Sequence, residues 1–415
     1  MDNLIARLHG LVWGDWLVLF IIGTGLFFTV RLRGIQFRWM RYLFRFHRSE
    51  NGGSSQLRTV CMSLGAAMGT GNITGVAAAL AAGGAGAVFW MWVSAFFGMA
   101  VVYAENVLSC KYSKGRYKGP MAYLALGAES PAAAALFAVF CCLAALGMGG
   151  MVQVSSFTEA LYTCTDANRY VTAVIVLAVV YAVISGGALR IGRTAQFLVP
   201  AATVLYMGVS IAVLVKFGDR LPAVFRSIIG EALGFRQAVG GAVGYGISRA
   251  VSVGVRRGVF SNEAGLGSSP LLHSSAEKQE PRLQGMWAMA EVFFDTMVCC
   301  TLTAAVILCA SDDFTIASAF RHILGNCSDF AVTAELGAYA FCTMIGWYFC
   351  GETALHYLFP KADRKAAALV YAVISALGAV ITAENVWLIS DIFNGLMAVP
   401  NLIGLIVLSG YVKEE

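Results

Sequence analysis

The sequence has few charged residues and few prolines for its length. Asp, Glu, Lys and Arg make up 13% of its 415 residues, against about 25% in an average soluble domain. It has 8 prolines, while hydrophobic residues reach 58% and mean hydropathy is +0.72. Such a chain cannot cover a globular surface with charge. This balance argues against an ordinary soluble domain and favours a membrane protein with several spans.

Motifs for catalysis, for metal binding and for nucleic-acid binding are also missing. The 11 cysteines contain no C-x-x-C pair, and no two of the 5 histidines have the spacing of metal ligands. No H-E-x-x-H or serine–histidine pattern lies within an apolar run. The net charge of +5 comes without Lys/Arg runs interleaved with aromatic residues, which single-strand binding requires. We therefore expect neither an enzyme nor a nucleic-acid-binding protein.

The sequence does contain repeated apolar runs of about 20 residues, the length that crosses a bilayer as a helix. We count eleven candidate spans: 11–30, 58–80, 86–109, 132–161, 170–187, 195–216, 238–272, 285–310, 331–358, 366–382 and 386–411. Most of the 29 lysines and arginines lie in loops on one side of this arrangement. The positive side predicts the cytoplasm, with the N-terminus outside and the C-terminus inside. We expect a multi-pass protein of the cell membrane.

Two of these spans contain residues that a lipid-exposed helix avoids. Span 2 includes "GAAMGTGNITG" (65–75), and span 7 includes "RRGVFSNEAGLGSSP" (256–270). A break leaves unpaired backbone groups that cost several kcal/mol each in lipid, so it persists only where those groups face protein, water or a ligand. Spans five apart cross in opposite directions, which is the pattern of an inverted repeat. We expect an extra N-terminal helix and basic segment at 1–57, a first five-helix repeat at 58–216 and a second at 217–415.

The two interruptions predict a binding site near the middle of the membrane. Exposed N–H groups at half-helix N-termini attract a carboxylate, and unwound carbonyls coordinate a cation. The candidates are Thr70, Gly71 and Asn72 in span 2, with Phe260, Ser261, Asn262 and Glu263 in span 7. A phosphate-binding loop is disfavoured because no Lys-Ser/Thr follows the glycines and no strand precedes them. Glycine packing between helices is the alternative for either segment alone, but the matched pair favours a site.

Five segments resemble the alanine or glycine:cation symporter family, whose members are sodium:alanine symporters. They are "GTGNITGVAAALAAGGAGAVFWMW", "RRGVFSNEAGLGSSP", "EVFFDTMVCCTLTA", "IGWYFCGE" and "SDIFNGLMAVPNLIGL". The resemblance implies the leucine-transporter-like fold of the amino acid-polyamine-organocation superfamily. This is an all-α membrane fold whose ten core helices form two inverted five-helix repeats, with discontinuous helices at spans 2 and 7. The resemblance also implies alternating access, alanine or glycine as the substrate and Na⁺ as the coupling ion.

The same resemblance implies roles for particular residues. Those that would contact the substrate are Thr70, Gly71, Asn72, Gln153, Phe260, Ser261, Asn262, Thr343 and Trp347. The span 2 residues would receive the carboxylate, and Phe260 would contribute its carbonyl. Thr343 and Trp347 share one helical face, and Trp347 would cap the pocket and limit substrate size. The Na⁺ ligands would be the carbonyls of Gly65 and Met68 with the Thr343 hydroxyl, since hard oxygens suit this type of ion.

Several acidic residues lie within predicted spans, where charge is costly. Glu105 either reaches the cytoplasmic interface or has a functional role. Glu263 either attracts a cation or pairs with Arg256 or Arg257, and pairing is favoured because an unpaired buried arginine is costly. Four more acidic residues are expected to pair or hydrogen-bond inside the bundle: Glu291, Asp295, Glu352 and Asp391.

The sequence thus predicts a secondary transporter that carries alanine or glycine into the cell with Na⁺. A proton-coupled transporter of small amino acids is the alternative, because Glu105 and Glu263 could titrate. A channel is disfavoured, since channels usually assemble as oligomers around a repeated filter, whereas an internal repeat makes a monomer sufficient. The expected partners are the amino acid and the lipid bilayer.

Overall fold

The computed structural model describes residues 2–47, 53–234, 243–277, 280–311, 313–381 and 383–413. These residues are mainly helical and contain no β-strand, although an isolated antiparallel bridge joins Lys114 and Tyr117. The predicted all-α class is confirmed. Helices suit a chain that crosses lipid because they satisfy their backbone hydrogen bonds internally.

The first part of the chain forms helices α1 to α12. In order they are α1 (Asp2–Val12), α2 (Asp15–Arg31), α3 (Trp39–His47), α4 (Gly53–Ala67), α5 (Thr74–Gly83), α6 (Gly86–Tyr112), α7 (Gly119–Ala122), α8 (Pro131–Ala144), α9 (Val152–Thr165), α10 (Arg169–Ile184), α11 (Gly187–Lys216) and α12 (Leu221–Ala232). The π-helical segment Ala145–Met151 joins α8 to α9 without a break.

The second part of the chain forms α13 to α20. In order they are α13 (Val243–Asn262), α14 (Ser269–His273), α15 (Pro281–Val292), α16 (Thr301–Ala310), α17 (Ile316–Leu324), α18 (Ser328–Leu358), α19 (Arg364–Leu377) and α20 (Ala383–Val407). The π-helical segment Phe293–Cys300 joins α15 to α16. Helices therefore lie in every segment that the sequence predicts as a span.

Several helical stretches are long and apolar enough to cross a membrane. In the described part of the chain there are 7: Leu4–Arg31, Gly86–Tyr112, Pro131–Thr165, Gly187–Lys216, Pro281–Ala310, Ile316–Leu358 and Asn385–Val407. The apolar helices α5 and α10 are shorter. The protein is a multi-pass membrane protein, while the count of eleven crossings and the orientation of the termini stay predictions.

Both predicted interruptions are present. Between α4 and α5 the chain forms one turn of 3-10 helix, Thr70–Asn72. Between α13 and α14 it passes through left-handed φ angles of +57° at Glu263, +87° at Gly265 and +83° at Gly267. Glycine adopts these angles without steric cost, so the two glycines permit this turn, whereas Glu263 must be held in it by its surroundings.

Helix packing brings the two interruptions together beside α18. Helix α6 packs along α13 and α15, and α8 packs against α18 and α20. The 3-10 turn touches both α18 and the π-helical segment that follows α15. Small residues allow α4 and α18 to approach closely, since a Cβ on Gly346 would lie 2.7 Å from the Cβ of Ala66. The fold thus surrounds the interruptions with protein.

Candidate functional site

The interruption of span 2 releases backbone carbonyls from the helix. The Gly69 N–H bonds to the Ala67 carbonyl at 2.8 Å, and the Asn72 N–H bonds to the Gly69 carbonyl at 3.3 Å. In a continuous α-helix these two N–H groups would bond to the carbonyls of Gly65 and Met68. Those carbonyls therefore lose their helical donors and become available to other ligands.

Gln153 binds the backbone at this interruption. Its Oε1 accepts hydrogen bonds from both the N–H and the hydroxyl of Thr70, each at 3.1 Å. Its Nε2 donates to the Met148 carbonyl at 3.1 Å, inside the π-helical segment between α8 and α9. The structure thus brings together two of the predicted substrate-binding residues. Gln153 accepts from donors that the sequence assigns to the substrate carboxylate.

Asp295 joins the two interrupted helices. One carboxylate oxygen accepts from the Asn72 amide at 2.7 Å, and the other accepts from the Ser261 hydroxyl at 2.7 Å. Ser261 also lies 3.2 Å from the Asn72 amide oxygen, and Thr296 donates to Asp295 at 3.0 Å. Asp295 is 0% exposed, so this carboxylate is satisfied by neutral donors alone among the described residues.

Asn262 stabilises the interruption of span 7. Its amide oxygen accepts from the Ala264 N–H at 3.0 Å, and its Nδ2 donates to the Thr296 hydroxyl at 3.2 Å. A side chain that binds the backbone two residues later offers an alternative to the helical bond. Asn262 therefore ends α13 and fixes the start of the turn towards α14.

Phe260 covers the glycine at the centre of the other interruption. A Cβ on Gly71 would lie 3.4 Å from the Phe260 ring. The same ring stacks on Trp387 of α20, with centroids 4.9 Å apart and planes inclined by 30°. The Phe260 side chain thus lies between Gly71 and α20.

Thr343 and Trp347 contact different interrupted helices. The Thr343 hydroxyl donates to the released Gly65 carbonyl at 3.0 Å, and the Trp347 indole donates to Glu263 at 2.7 Å. Both side chains are buried. The face that they share on α18 therefore bridges span 2 and span 7.

The favoured pairing of Glu263 with an arginine is wrong. Glu263 accepts from Trp347 at 2.7 Å and from the Ser268 hydroxyl at 2.5 Å. Arg257 instead lies over the ring of Trp387, 4.9 Å from its centroid. The left-handed turn at Glu263 directs its carboxylate away from α13 and towards α18, which the sequence motif alone does not reveal.

Glu105 does not reach the membrane interface. It is 0% exposed and accepts from the Asn401 amide at 2.5 Å. The same amide donates to the Gly265 carbonyl at 2.9 Å. Glu105 therefore supports the turn in span 7 through Asn401, an interior position that corrects the interface interpretation.

Of the other acidic residues expected to have partners inside the bundle, Glu291 and Asp391 have interior partners, whereas the partner of Glu352 is an exposed arginine. Glu291 accepts from Ser63 at 2.6 Å and lies 3.1 Å from His273. Glu352 pairs with Arg364 at 3.1 Å. Asp391 lies 3.3 Å from His9 of α1.

The oxygens near Gly65 fit the chemistry of a sodium site. The Gly65 carbonyl and the Thr343 hydroxyl are 3.0 Å apart, and the Met68 carbonyl has lost its helical donor to the same interruption. All three are hard, neutral oxygen donors, which alkali and alkaline-earth cations prefer to nitrogen or sulfur. The three donors carry no charge of their own, so they suit a cation that is bound through neutral oxygens alone.

A cavity of about 650 Å³ lies on the predicted external side of these residues. Thr74, Ser155, Arg256, Trp387 and Asp391 are among its lining residues. Because Trp387 lines the cavity and stacks on Phe260, this aromatic pair lies between the cavity and Gly71. The cavity offers an approach towards the interruptions that leads past the two rings.

Comparison with known proteins gives consistent matches over the full length. Residues 1–415 match the sequence model of a family described as the sodium:alanine symporter family. A Haemophilus influenzae protein, "Uncharacterized transporter", is 37% identical and covers 100% of this chain and 95% of its own length. The "Sodium/alanine symporter AgcS" of Methanococcus maripaludis is 36% identical, with coverages of 100% and 96%.

The name of a third relative gives a different substrate. The "Probable sodium/glutamine symporter GlnT" of Bacillus subtilis is 35% identical over 99% of this chain and 88% of its own length. All three relatives are described as transporters or symporters. The chain is similar to transport proteins and not to enzymes.

Proposed function

Because the chain belongs to the sodium:alanine symporter family, we propose that it carries a small neutral amino acid, alanine or glycine, into the cell together with Na⁺ by alternating access. The observation that supports this most is the meeting of the two interrupted helices at Asn72, Asp295 and Ser261. A ligand bound there contacts both halves of the chain at once. Its binding energy can therefore favour one arrangement of the halves over another.

The substrate carboxylate is assigned to the interruption of span 2. Thr70, Gly71 and Asn72 lie just before the first turn of α5, where backbone N–H groups and the helix dipole favour an anion. A carboxylate there replaces the Gln153 oxygen as acceptor of the two Thr70 bonds. Gln153 then turns its amide to the substrate, which gives it the polar role that the sequence predicts.

Substrate contacts from span 7 and α18 complete the assignment. The carbonyl of Phe260, Ser261 and Asn262 contribute from span 7, and Thr343 and Trp347 from α18. Trp347 limits the size of the substrate because its side chain is wedged against the π-helical segment, where a Cβ on Gly149 would lie 2.2 Å from the Trp347 Cβ. The indole has no room to retreat in that direction, which supports a small substrate.

Trp347→Ala is expected to widen the range of substrates, because removing the indole enlarges the pocket. Competition by serine, valine and glutamine against labelled alanine uptake measures this range. Trp347→Phe is the matched variant, since it keeps an aromatic ring and loses the bond to Glu263. A range that is the same in Trp347→Ala and the unmodified protein would remove Trp347 from the pocket.

Sodium is assigned to the carbonyls of Gly65 and Met68 and to the Thr343 hydroxyl. Binding there draws α18 onto the released end of α4, because the ligands come from both helices. The cation also lies next to the carboxylate site at Thr70, so that each charged ligand lowers the cost of burying the other. This reciprocal effect couples the two binding events.

The helix contacts support a leucine-transporter-like arrangement with two inverted repeats. Helices at corresponding positions of the predicted repeats pack on one another: α6 on α15, α8 on α18 and α10 on α19. The contact of α11 with α18 also has its expected counterpart in the contact of α20 with α8. When the two predicted repeats, 58–216 and 217–415, are interchanged, each of these contacts maps onto an observed contact. A twofold relation between the repeats requires this.

The available driving force is sufficient for concentrative uptake. One charge that moves through about 100 mV yields about 2.3 kcal/mol. A tenfold sodium gradient adds about 1.4 kcal/mol. Together they support an accumulation of roughly 500-fold when one ion moves with each substrate.

Uptake into proteoliposomes tests the proposal. Labelled alanine should accumulate under an inward Na⁺ gradient and not under an equal K⁺ gradient, with glycine competing more strongly than glutamine. Accumulation that follows an inward proton gradient and ignores Na⁺ would replace the proposal with the proton-coupled alternative. Stronger competition by glutamine would overturn the assignment of the substrate while leaving sodium coupling intact.

A further inference from the structure

The cavity on the predicted external side has ionisable side chains on its wall that the proposed transport site does not use. They are His9, Glu159, Arg256, Arg257, Asp329 and Asp391. The volume of about 650 Å³ lies within the range of small-molecule sites, about 300–1,000 Å³. The cavity therefore has room for an amino acid and its accompanying water.

The two arginines have no carboxylate in direct contact in the described part of the chain, although Asp391 is near enough to attract the Arg256 guanidinium. Nε of Arg256 and Nη1 of Arg257 are buried without a hydrogen-bond partner. Neither guanidinium forms an ion pair with a described residue. Arg257 is instead held over the Trp387 ring at 4.9 Å. Stacking fixes the plane of this guanidinium and leaves its N–H groups for an anion.

Two of the carboxylates on the cavity wall are already paired with other arginines. Glu159 bonds to Arg169 at 2.7 Å, and Asp329 bonds to Arg321 at 3.0 Å. Both pairs lie at the exposed rim, so these carboxylates do not neutralise Arg256 or Arg257. Among the described residues, the interior of the cavity is left with two guanidinium groups that no carboxylate contacts directly.

Asp391 is the remaining carboxylate on the cavity wall, and only one of its two side-chain oxygens has a hydrogen-bond partner among the described residues. Its residue is 4% exposed, and Oδ2 lies 3.3 Å from His9. Oδ1 is buried without a hydrogen-bond partner among the described residues. A buried acceptor in this state is energetically costly, so the position is expected to gain a donor during the working cycle.

Charges of opposite sign thus line one cavity and attract one another without direct contact among the described residues. A zwitterion satisfies both, since it brings an anion and a cation on one small molecule. We propose that this cavity is an outer binding subsite for zwitterionic α-amino acids, where Arg256 and Arg257 bind the carboxylate and Asp391 Oδ1 binds the ammonium group. The inference rests on the proposed transport of amino acids. It adds a first binding step before the substrate passes Phe260 and Trp387.

The subsite has a defined kinetic consequence. Opposite charges on the cavity wall raise the local concentration of the zwitterion and orient it before it reaches the interruptions. Loss of this step slows capture but leaves the inner contacts at Thr70 and Asn72 unchanged. The expected signature is a higher KM with a nearly constant kcat.

Initial rates of alanine uptake in proteoliposomes test this signature. Arg257→Gln and Asp391→Asn should each raise KM by about tenfold, while kcat changes by less than about twofold. Arg226→Gln is the matched control, because Arg226 is exposed on α12 at the same predicted side and does not line the cavity. Values of KM equal to that of the control, or a loss confined to kcat, would overturn the subsite.

Protection of Cys164 provides a readout that does not depend on transport. Cys164 lines the same cavity as a free thiol, and Cys327→Ser removes the exposed thiol elsewhere. In the Cys327→Ser background, saturating alanine should slow the alkylation of Cys164 by a maleimide. The same protection is expected when Asn72→Ala is added to disable the inner site. Arg257→Gln should remove this protection. If alanine does not slow the alkylation of Cys164 in the Asn72→Ala protein, the subsite is contradicted. If alanine still protects Cys164 but uptake fails, only the transport proposal is contradicted.

Discussion

At the residue scale, the side chain of Asn72 links the two interruptions. It donates to Asp295 at 2.7 Å, and its amide oxygen lies 3.2 Å from the Ser261 hydroxyl. The motif "GTGNITG" identifies Asn72 as a site residue from the sequence because asparagine is costly inside lipid. Its partner Asp295 is expected to be hydrogen-bonded, yet the sequence assigns it no place in the site. That contact spans more than two hundred positions, and no local pattern specifies it.

Asn72→Ala is expected to reduce Na⁺-dependent alanine uptake by about tenfold or more. The substitution removes a donor from the buried Asp295 carboxylate, at a cost of about 1–3 kcal/mol, and takes a polar group from the carboxylate site. Uptake per folded protein, with folding followed by size-exclusion chromatography, is the measurement. Asn106→Ala is the control, since Asn106 is also a buried amide with two hydrogen bonds. Equal uptake losses in the two variants would make the effect one of stability.

At the element scale, the interruptions depend on neighbouring helices that are themselves irregular. The π-helical segment Ala145–Met151 contains three glycines and receives both Trp347 and Ser375, where a Cβ on Gly150 would lie 2.1 Å from the Ser375 hydroxyl. A π turn opens the helix by one residue and is often found at functional sites. Hydropathy predicts the helix over 132–161 but cannot place this turn, because the turn depends on what packs against it.

Gly149→Ala is expected to destabilise the protein by about 1–3 kcal/mol, because the added methyl overlaps Trp347. Thermal unfolding in detergent should show a lower Tm for this variant. Gly208→Ala is the control, since a Cβ on Gly208 has no neighbour within 4 Å. If both variants keep the Tm of the unmodified protein, the contact between Gly149 and Trp347 is looser than described.

The loop before α17 carries a carboxylate that stabilises the helix start. The Ser318 hydroxyl, together with hydrogen bonds from Thr315 and Ser311, holds the pKa of Asp313 well below its ordinary value. Thr315 in turn caps α17 through the Ser318 N–H at 3.3 Å. A depressed folded-state pKa stabilises the structure above the unfolded pKa of about 3.9, and this contribution is lost as pH falls towards the folded value.

Asp313→Asn should therefore speed amide hydrogen exchange in α17 at neutral pH. The difference from the unmodified protein should shrink below about pH 4, where the carboxylate of the unfolded chain protonates. Asp166→Asn is the control, an exposed acidic residue in another turn on the same predicted side. A difference that persists unchanged into acid would show that the charge of Asp313 does not matter.

At the scale of the whole molecule, the sequence predicts the location of the helices and of the two interruptions, because hydropathy and glycine content are local properties. It does not predict how Glu263 and Glu105 are satisfied. Glu263 turns to Trp347 through a left-handed backbone angle, and Glu105 meets Asn401 from a helix almost three hundred residues away. Contacts between distant helices decide these outcomes, so the favoured pairing of Glu263 with an arginine is wrong, and of the two alternatives left open for Glu105 the interface position is excluded.

The predicted orientation is open to a direct test with a natural cysteine. Cys327 is exposed in the loop between α17 and α18, on the side predicted to be external. A membrane-impermeant maleimide should label it in intact cells, and Cys327→Ser should remove that part of the labelling. Labelling of Cys327 only after the cells are opened would reverse the orientation.

The central claim is that the facing interruptions bind an amino acid and Na⁺ together. Calorimetric titration of alanine into the purified protein, in sodium buffer and in potassium buffer of equal ionic strength, tests it most directly. We predict saturable binding in sodium and binding weakened by about tenfold or more in potassium. Equal affinity in the two buffers would contradict the account.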